Sequence, residues 1–592
     1  MPKTDDTTTG LSRRGFLTAA GAGALAVGAV GAWTPVYALP LDTGSLGSSG
    51  SAGGGATLPA PPNFPSGIDL AQQAYENWSK EIVLDAVWTC SPKTPGDVVR
   101  LANWAHANGY TLRPRGAQHG WTPLTVVKGA SVDKVILVDT IKHLNGVSVN
   151  KGGSPATVTA GPGATLDDIT TALQAQGLGW ANLPAPGVLT IGGTLAVDAH
   201  GAALPGPGQS TAPGHTYGSL SNLVTSLTAV VWNGTEYAEK TYLRSDPQIK
   251  PLLTALGRTF ITSVTMQAGP NFRMRCQSYT GIDWKEMFGP KGASGKTFES
   301  YVAQNGGVEA IWYPFTTKPW LKVWSVAPSK PAESREVTGP YNYTFSDNLP
   351  VAVTDLLGKM NSGAPGIAPL FGQTMYATTV AGLAVTNSSD IWGWSKDVQF
   401  YIKPTTLRLT EGGGAVITKR ENIGQVIHDF TTWFNDRIEF YKAKGQYPLN
   451  GPVEIRCCGL DQGADVLVPS AGAPTISAMR PRPDHPEWDT AIWLNVLGVP
   501  GTPGMFEFYQ EMEQWMRSHY SGNDYTFRPE WSKGWAFGPN PYTNGGIITG
   551  ALPQSYRDGL PTNDNWDTAH AAYNELDPHH IYSNSFMDQL LP

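Results

Sequence analysis

Polar and apolar positions between residues 94 and 110 follow a helical period. Thr94 stands at a capping position, Pro95 fits the first helical position, and Asp97 completes a capping box. Val98, Leu101, Ala102 and Ala105 then line one face, and Gly109 closes the helix. Strand patterns follow at Tyr110–Leu112, Lys134–Val138 and Ala156–Ala160, and Thr165-Leu-Asp-Asp168 opens a second capped helix ending near Gly177. Asn233-Gly234 inside Val230–Ala238 predicts a hairpin, and Thr259–Gln267 a further strand. Strand, turn and helix alternate in the manner of a mixed α/β or α+β domain.

Past residue 275 the pattern changes. Aromatic residues thicken, among them Trp312, Tyr313, Trp320, Trp324, Phe371, Trp392, Trp394 and Tyr401, as a pocket for a bulky apolar ligand requires and as an ordinary core also would. Single charged or amide groups interrupt apolar strands. Glu309 lies between Val308 and Ile311, and Asn495 stands alone in Ile492–Val496. Glu454 and Arg456 are two residues apart and so share one strand face. Glu530 and Lys533 follow in Arg528–Trp535. Each of these groups fits a buried ion pair. For Glu454 with Arg456 the functional reading is the better one, because burying either charge uncompensated is costly.

Two glycine-rich stretches supply candidate ligand chemistry. In Gly116-Ala-Gln-His-Gly120, after the arginines Arg113 and Arg115, glycine lets main-chain N–H groups approach a phosphate closely. In Thr190-Ile-Gly-Gly-Thr-Leu-Ala-Val-Asp-Ala-His-Gly201, the Gly192-Gly193 pair allows close packing on a flat ligand, and Thr190 and Thr194 supply hydroxyls. Either stretch alone also reads as a tight turn.

Composition narrows the picture. The chain has 592 residues, which suggests two to four domains, and a net charge of −7, so no basic field attracts nucleic acid. Its four cysteines, Cys90, Cys276, Cys457 and Cys458, form neither a disulfide framework nor a metal spacing, and no metal is expected at the adjacent His579 and His580. Zinc-protease, Walker and nucleophile-elbow motifs are missing from the sequence. Residues 1–38 read as a twin-arginine signal: Ser12-Arg13-Arg14-Gly15-Phe16-Leu17, the apolar run Thr18–Ala32 and the cleavage-like Val36-Tyr37-Ala38. Export outside the cytoplasm is therefore expected, followed by a flexible leader over 39–68 rich in Gly, Ser, Ala and Pro.

The first helix, Arg-Gly-Ala-Gln-His-Gly-Trp, the 190–201 motif, Tyr217-Gly-Ser-Leu220 and the hairpin occur in an order that resembles the vanillyl-alcohol-oxidase-type flavoproteins. Together with the Glu and Arg motifs, the chain resembles the bacterial cholesterol oxidases with covalently bound flavin. The resemblance implies an α+β fold: a two-subdomain FAD-binding domain over 69–275, a substrate domain with an antiparallel sheet flanked by helices over 276–555, and a C-terminal return to the FAD-binding domain over 556–592. It implies FAD joined by its 8α carbon to His119, with Cys276 making no second bond. FAD contacts are implied at Arg115, Gly116, Ala117, Gln118, Gly120 and Trp121, then at Pro184, Thr190, Gly192, Gly193, Thr194, Ala196, His200 and Gly201. Tyr217, Ser219 and Asn584 complete that set.

Implied catalytic residues are Glu309, Glu454, Arg456, Asn495, Glu530 and Lys533. The implied reaction is oxidation of a sterol 3β-hydroxyl with O2, giving H2O2 and a 3-ketosteroid, then Δ5 to Δ4 isomerisation. Glu309 is expected to handle protons from an apolar pocket that raises its pKa. Arg456 is expected to stabilise negative charge, and pairing and parting of Glu454 and Arg456 to gate oxygen. The expected partners are the sterol, O2 and, transiently, a lipid membrane. Oxidation of another secondary alcohol, a dehydrogenase, and a non-redox sterol- or glycan-binding protein are the alternatives.

Overall fold

The computed structural model describes residues 58–206, 209–343, 351–361 and 363–592. The twin-arginine segment and the leader as far as residue 57 lie outside them. Among the described residues no helix is long and apolar enough to cross a membrane.

The helix predicted after Thr94 runs over Pro95–Asn108 with its capping box formed and Gly109 left-handed at its end. It packs Val98, Leu101 and Ala105 against a sheet of β1 (Asp69–Glu76), β2 (Val83–Ser91), β3 (Thr111–Arg115) and β4 (Val135–Asp139), ordered β1-β2-β4-β3. The expected leader ends earlier than residue 68. Pro59 and Pro62 carbonyls accept the Trp88 and Trp104 indole N–H groups, and Phe64 and Ile68 pack into the same core. Two indole donors that need acceptors, and an apolar face that needs cover, tie this segment down.

A second sheet holds β5 (Val147–Asn150), β6 (Thr157–Ala160), β8 (Val224–Trp232), β9 (Tyr237–Leu243) and β10 (Phe260–Gln267). Its order, β5-β6-β10-β8-β9, places the Thr259–Gln267 strand at the centre. The hairpin turn forms as predicted, with the Asn233 side chain accepting from Thr235 and Glu236 N–H groups. The helix Leu166–Ala175, capped by Thr165, packs in this layer, and a two-residue ribbon joins β7 (Leu178–Gly179) to β11 (Gly269–Pro270).

The third sheet, nine strands among the described residues, contains β12 (Arg273–Tyr279), β13 (Gly307–Trp312), β14 (Trp320–Val326), β15 (Arg335–Glu336), β16 (Asp390–Trp394), β17 (Thr410–Thr418), β18 (Val453–Gly459), β19 (Thr490–Gly498) and β20 (Thr526–Pro529). Its order is β15-β16-β12-β14-β13-β18-β19-β17-β20, antiparallel except at β15/β16. Its first strand starts at Arg273, three residues before the expected boundary, because the strand pattern runs through Cys276 without a break.

Two-residue alternation sorts this sheet's faces. Val308, Ala310, Val416, Val453, Ile455, Ile492 and Leu494 pack under the helices Ile423–Ala443 and Met505–His519. Glu309, Glu411, Glu454, Arg456, Trp493 and Asn495 are out of phase with them and so belong to the opposite face. Register then brings the strands' polar groups together: Glu309 pairs with Lys322 and Arg456, Arg456 with Trp493, and Glu454 with Asn495.

Candidate active site

A cavity of about 340 Å³ runs between the two smaller sheets and the polar face of the large one. At one end stands the loop that leaves β3. Its Trp121 N–H donates to the Ser532 carbonyl and its indole to the Leu409 carbonyl, both 2.8–2.9 Å, which bolts the loop to the large sheet. Gln118 adopts φ 56°, and Gly116 presses on the Thr190 side chain so closely that a Cβ would collide with it. His119 stacks on Trp78 with ring centroids 3.7 Å apart. Burial first, then the cations Lys533 and Arg408, pull its pKa down to about 3, so its imidazole is neutral with a free lone pair.

Among the described residues, none of the main-chain N–H groups of Gly116–Gly120 hydrogen-bonds to another protein group. Consecutive unpaired donors on a cavity wall suit an anion. The Thr190–Ala196 stretch forms the adjoining wall, with Gly192 and Gly193 in the first turn of the helix Ile191–Ala196. An anion cradle, a glycine wall and a neutral imidazole fit a dinucleotide flavin.

Another part of the wall carries a charged network, whose Lys533 reaches back to within 4.1 Å of the Trp121 ring centroid. Arg456 donates to the Asn495 carbonyl oxygen at 3.0 Å, and the Asn495 amide donates to Glu530 at 2.9 Å. Glu454 lies 3.5 Å from the Arg456 guanidinium, and Lys533 reaches Glu411 at 2.5 Å. His200 stacks on Trp493 at 3.8 Å and turns Nε2 toward Glu530, 3.7 Å away. Burial raises Glu454 to about 7 against the pull of Arg456, and burial also raises Glu411. Burial opposes the charge on Glu530 too, but Lys533, His200 and Arg456 outweigh it and hold its carboxyl far below the ordinary range. Arg456 keeps its charge firmly, since Glu454 and Glu530 outweigh its desolvation.

The structure brings most of the residues singled out in the sequence to this cavity, and places four groups of them differently. Glu309 does not sit in an apolar pocket. It is fully buried, accepts from Tyr401 Oη at 2.6 Å and lies 3.3 Å from Lys322 Nζ, so Tyr401 stands between it and the cavity. Tyr217 and Ser219 lie outside the cavity wall: the Tyr217 carbonyl accepts from Gly459, and Ser219 binds Asp461 through both N–H and Oγ. Asn584 caps the helix Ser585–Leu590 and donates to the Pro123 and Leu124 carbonyls, supporting the His119 loop from behind. Gly201 borders a smaller adjoining cavity with His200, Tyr401 and Arg456.

Arg115, Ala117, Pro184, Thr194 and Ala196 all line the main cavity. Cys276 is buried beside Tyr343 and all four cysteines are unbridged. His579 stacks on His106, and no metal-binding cluster occurs among the described residues.

Three residues of the site escaped the sequence reading. Glu411 and Lys322 each carried the signal that exposed Glu309, a lone charge in an apolar strand, while Trp78 carries no local signal at all.

A nucleotide-sized cavity between two small sheets, closed by a charged sheet face, defines the class: an FAD-dependent oxidoreductase of α+β fold with a separate substrate-binding layer. Comparison with known proteins agrees. A family model described as FAD binding domain matches residues 88–238, and one described as cholesterol oxidase, substrate-binding, matches residues 273–592. The crystal structure of cholesterol oxidase from B. sterolicum is 72% identical, covering 91% of this chain and 100% of that one, with a TM-score of 0.90. A histidine-to-alanine mutant of the Brevibacterium sterolicum enzyme gives the same values. A solvent-stable cholesterol oxidase is 47% identical over 90% of this chain and 100% of that one, with a TM-score of 0.89. A search of curated protein sequences gave no match. The chain belongs to the cholesterol oxidase family.

Proposed function

We propose that this protein oxidises the 3β-hydroxyl of cholesterol-like sterols with O2, releasing H2O2, and converts the Δ5-3-ketone to cholest-4-en-3-one. The observation that carries the reading is the single cavity lined both by His119 and its anion cradle and by the Glu454–Arg456 network. Bound FAD supplies the acceptor for the C3 hydride and passes its electrons to O2.

The chain's own groups do the rest. Glu454, raised to about 7, is poised to take the hydroxyl proton near neutral pH. Arg456, held by Asn495, keeps a fixed positive charge beside the reacting carbon and stabilises negative charge developing there. The 3.5 Å separation of Glu454 and Arg456 leaves the pair able to part, which supports gating of oxygen from the adjoining cavity.

FAD is tethered through its 8α carbon to His119, whose neutral ring has the lone pair such a bond requires. The linkage is single, since Cys276 is buried away from the cavity wall. Residues 69–275 carry the flavin, 276–555 the sterol, and the segment from 556 closes back on the flavin layer. The Leu112 N–H donation to Ile581 and the Tyr237 hydroxyl bond to Asp577 support that return.

Sterol is drawn from a lipid surface. The helix Ala368–Val385 contains no charged residue, and Leu370 and Val385 are more than half exposed. Its Phe371 and Met375 pack with Leu407, Leu409 and Leu497, which line the cavity. The twin-arginine motif supports export of the folded, flavin-loaded enzyme.

Acid precipitation tests the tether. The wild-type pellet stays yellow, and that of His119→Ala is colourless although its native form still binds FAD; a yellow His119→Ala pellet would overturn the assignment.

A further inference from the structure

The Glu309 carboxylate is sealed from the cavity, and Tyr401 is the residue that seals it. Glu309 and Lys322 are 1% and fully buried, while Tyr401 borders both the main and the adjoining cavity. Tyr401 Oη donates to Glu309 Oε2 at 2.6 Å, the shortest bond that carboxylate makes. The phenol keeps its proton, because burial and then the Glu309 charge hold its pKa well above the ordinary value.

Tyr401 is also fixed in place from both sides. Its main-chain N–H donates to the Ala185 carbonyl at 3.1 Å, and its neighbour Ile402 bridges Pro186, both in the flavin-facing stretch. Beneath the ring lies Lys322 Nζ, 2.9 Å from the centroid, with the Trp324, Trp320 and Tyr343 rings at 4.9–5.3 Å. The ammonium in this aromatic cage balances Glu309 without opening it to water, and the Glu309 charge in turn opposes the burial that lowers the Lys322 pKa.

We propose that Tyr401 is the catalytic residue that carries the isomerisation proton, with Glu309 as the internal base behind it and Lys322 as the positioning cation. This rests on the isomerase part of the function proposed above. In the first step the C4–H bond breaks, its proton passes to Tyr401 Oη, and the Tyr401 proton passes to Glu309 Oε2. The C–H electron pair enters the dienolate of the substrate. In the second step C6 takes the proton from Tyr401 Oη, the double bond forms between C4 and C5 as C3=O is restored, and Glu309 returns its proton to Tyr401. No electron leaves the steroid and no proton is lost.

The acid–base network that serves oxidation uses other side chains and meets this relay where Glu309 stands opposite Arg456 and its charge helps to raise Glu454. Glu411 stands on β17, Glu454 and Arg456 on β18, and Glu530 and Lys533 just beyond β20, joined by ion pairs, and Glu454 is the carboxylate held near neutrality. The two proton tasks therefore separate by residue.

The test uses the flavin-loaded full-length enzyme with Tyr401→Phe, which keeps the ring over Lys322 and removes only the hydroxyl. Peroxide release from a 3β-hydroxysterol measures oxidation, and ultraviolet absorbance of the conjugated product from added Δ5-3-ketone measures isomerisation. Tyr401→Phe is expected to oxidise sterol within a few-fold of wild type and to lose isomerisation by about 100-fold or more. The Glu309→Gln variant is expected to show the same loss, and the double variant no further one, since the groups act in series. Unchanged isomerisation in Tyr401→Phe, or losses that multiply in the double variant, would overturn the relay. Wild-type enzyme that oxidises sterol but leaves the Δ5-3-ketone untouched would overturn the isomerase reading itself.

Discussion

Glu454 sets the pH behaviour of the site because its charge is the least well compensated in the network. Arg456 lies near it, but Glu411 and Glu309 oppose, and burial leaves its pKa near 7. As the proposed base for the hydroxyl proton, it is expected to make kcat/KM rise with pH through about 7, and Glu454→Gln to remove that limb from the profile. The effect on stability has the opposite sign. The folded chain holds a proton that the unfolded chain releases near 4.5, so this group's contribution to stability falls between about 4.5 and about 7 and is flat above. Glu454 and Arg456 were legible in sequence because a two-residue spacing in a strand fixes a shared face. The surroundings of Glu309 were not, since Lys322 and Tyr401 reach it through strand register and a distant loop. Asn584 misled for a related reason: an asparagine ahead of a short helix can cap as readily as it can touch a ligand.

Among the elements, the His119 loop and the helix Ala368–Val385 do most to connect fold with substrate. Gly116 packs against Thr190 with no room for a methyl group. Gly116→Ala is predicted to displace the loop and to lower flavin content in purified protein, with a loss of about 1–3 kcal/mol in thermal or denaturant unfolding. The exposed face of the uncharged helix yields a second prediction. Leu370→Asp is expected to slow oxidation of vesicle-borne sterol several-fold while leaving detergent-solubilised sterol turned over at the wild-type rate. Equal loss on both forms would place the effect inside the cavity. Capped helices and the Asn233-Gly234 hairpin could be read directly, because their signals are local. The uncharged helix Ala368–Val385 could not, because its absence of charge gains meaning only once one side is seen to be exposed.

For the whole molecule, the decisive arrangement is three sheets meeting on one cavity, with the C-terminal segment packed behind the His119 loop and the flavin-layer sheet. Asp577 is fully buried and accepts the Tyr237 hydroxyl and the Ile581 and Tyr582 N–H groups. Asp577→Ala strands those donors and is predicted to cost about 2–3 kcal/mol in unfolding free energy with little change in kcat, measured by denaturant titration of the flavin-loaded enzyme. That these distant segments meet was legible only through the family resemblance, since no local pattern encodes which sheet edge a C-terminal stretch will reach. Anaerobic titration separates sterol oxidation at a flavin held in this cavity from mere sterol binding. Adding a 3β-hydroxysterol to the purified yellow protein without oxygen should bleach the flavin absorbance, and admitting air should restore it with one H2O2 per sterol oxidised. A flavin that stays oxidised in the presence of sterol would rule out sterol oxidation at this site.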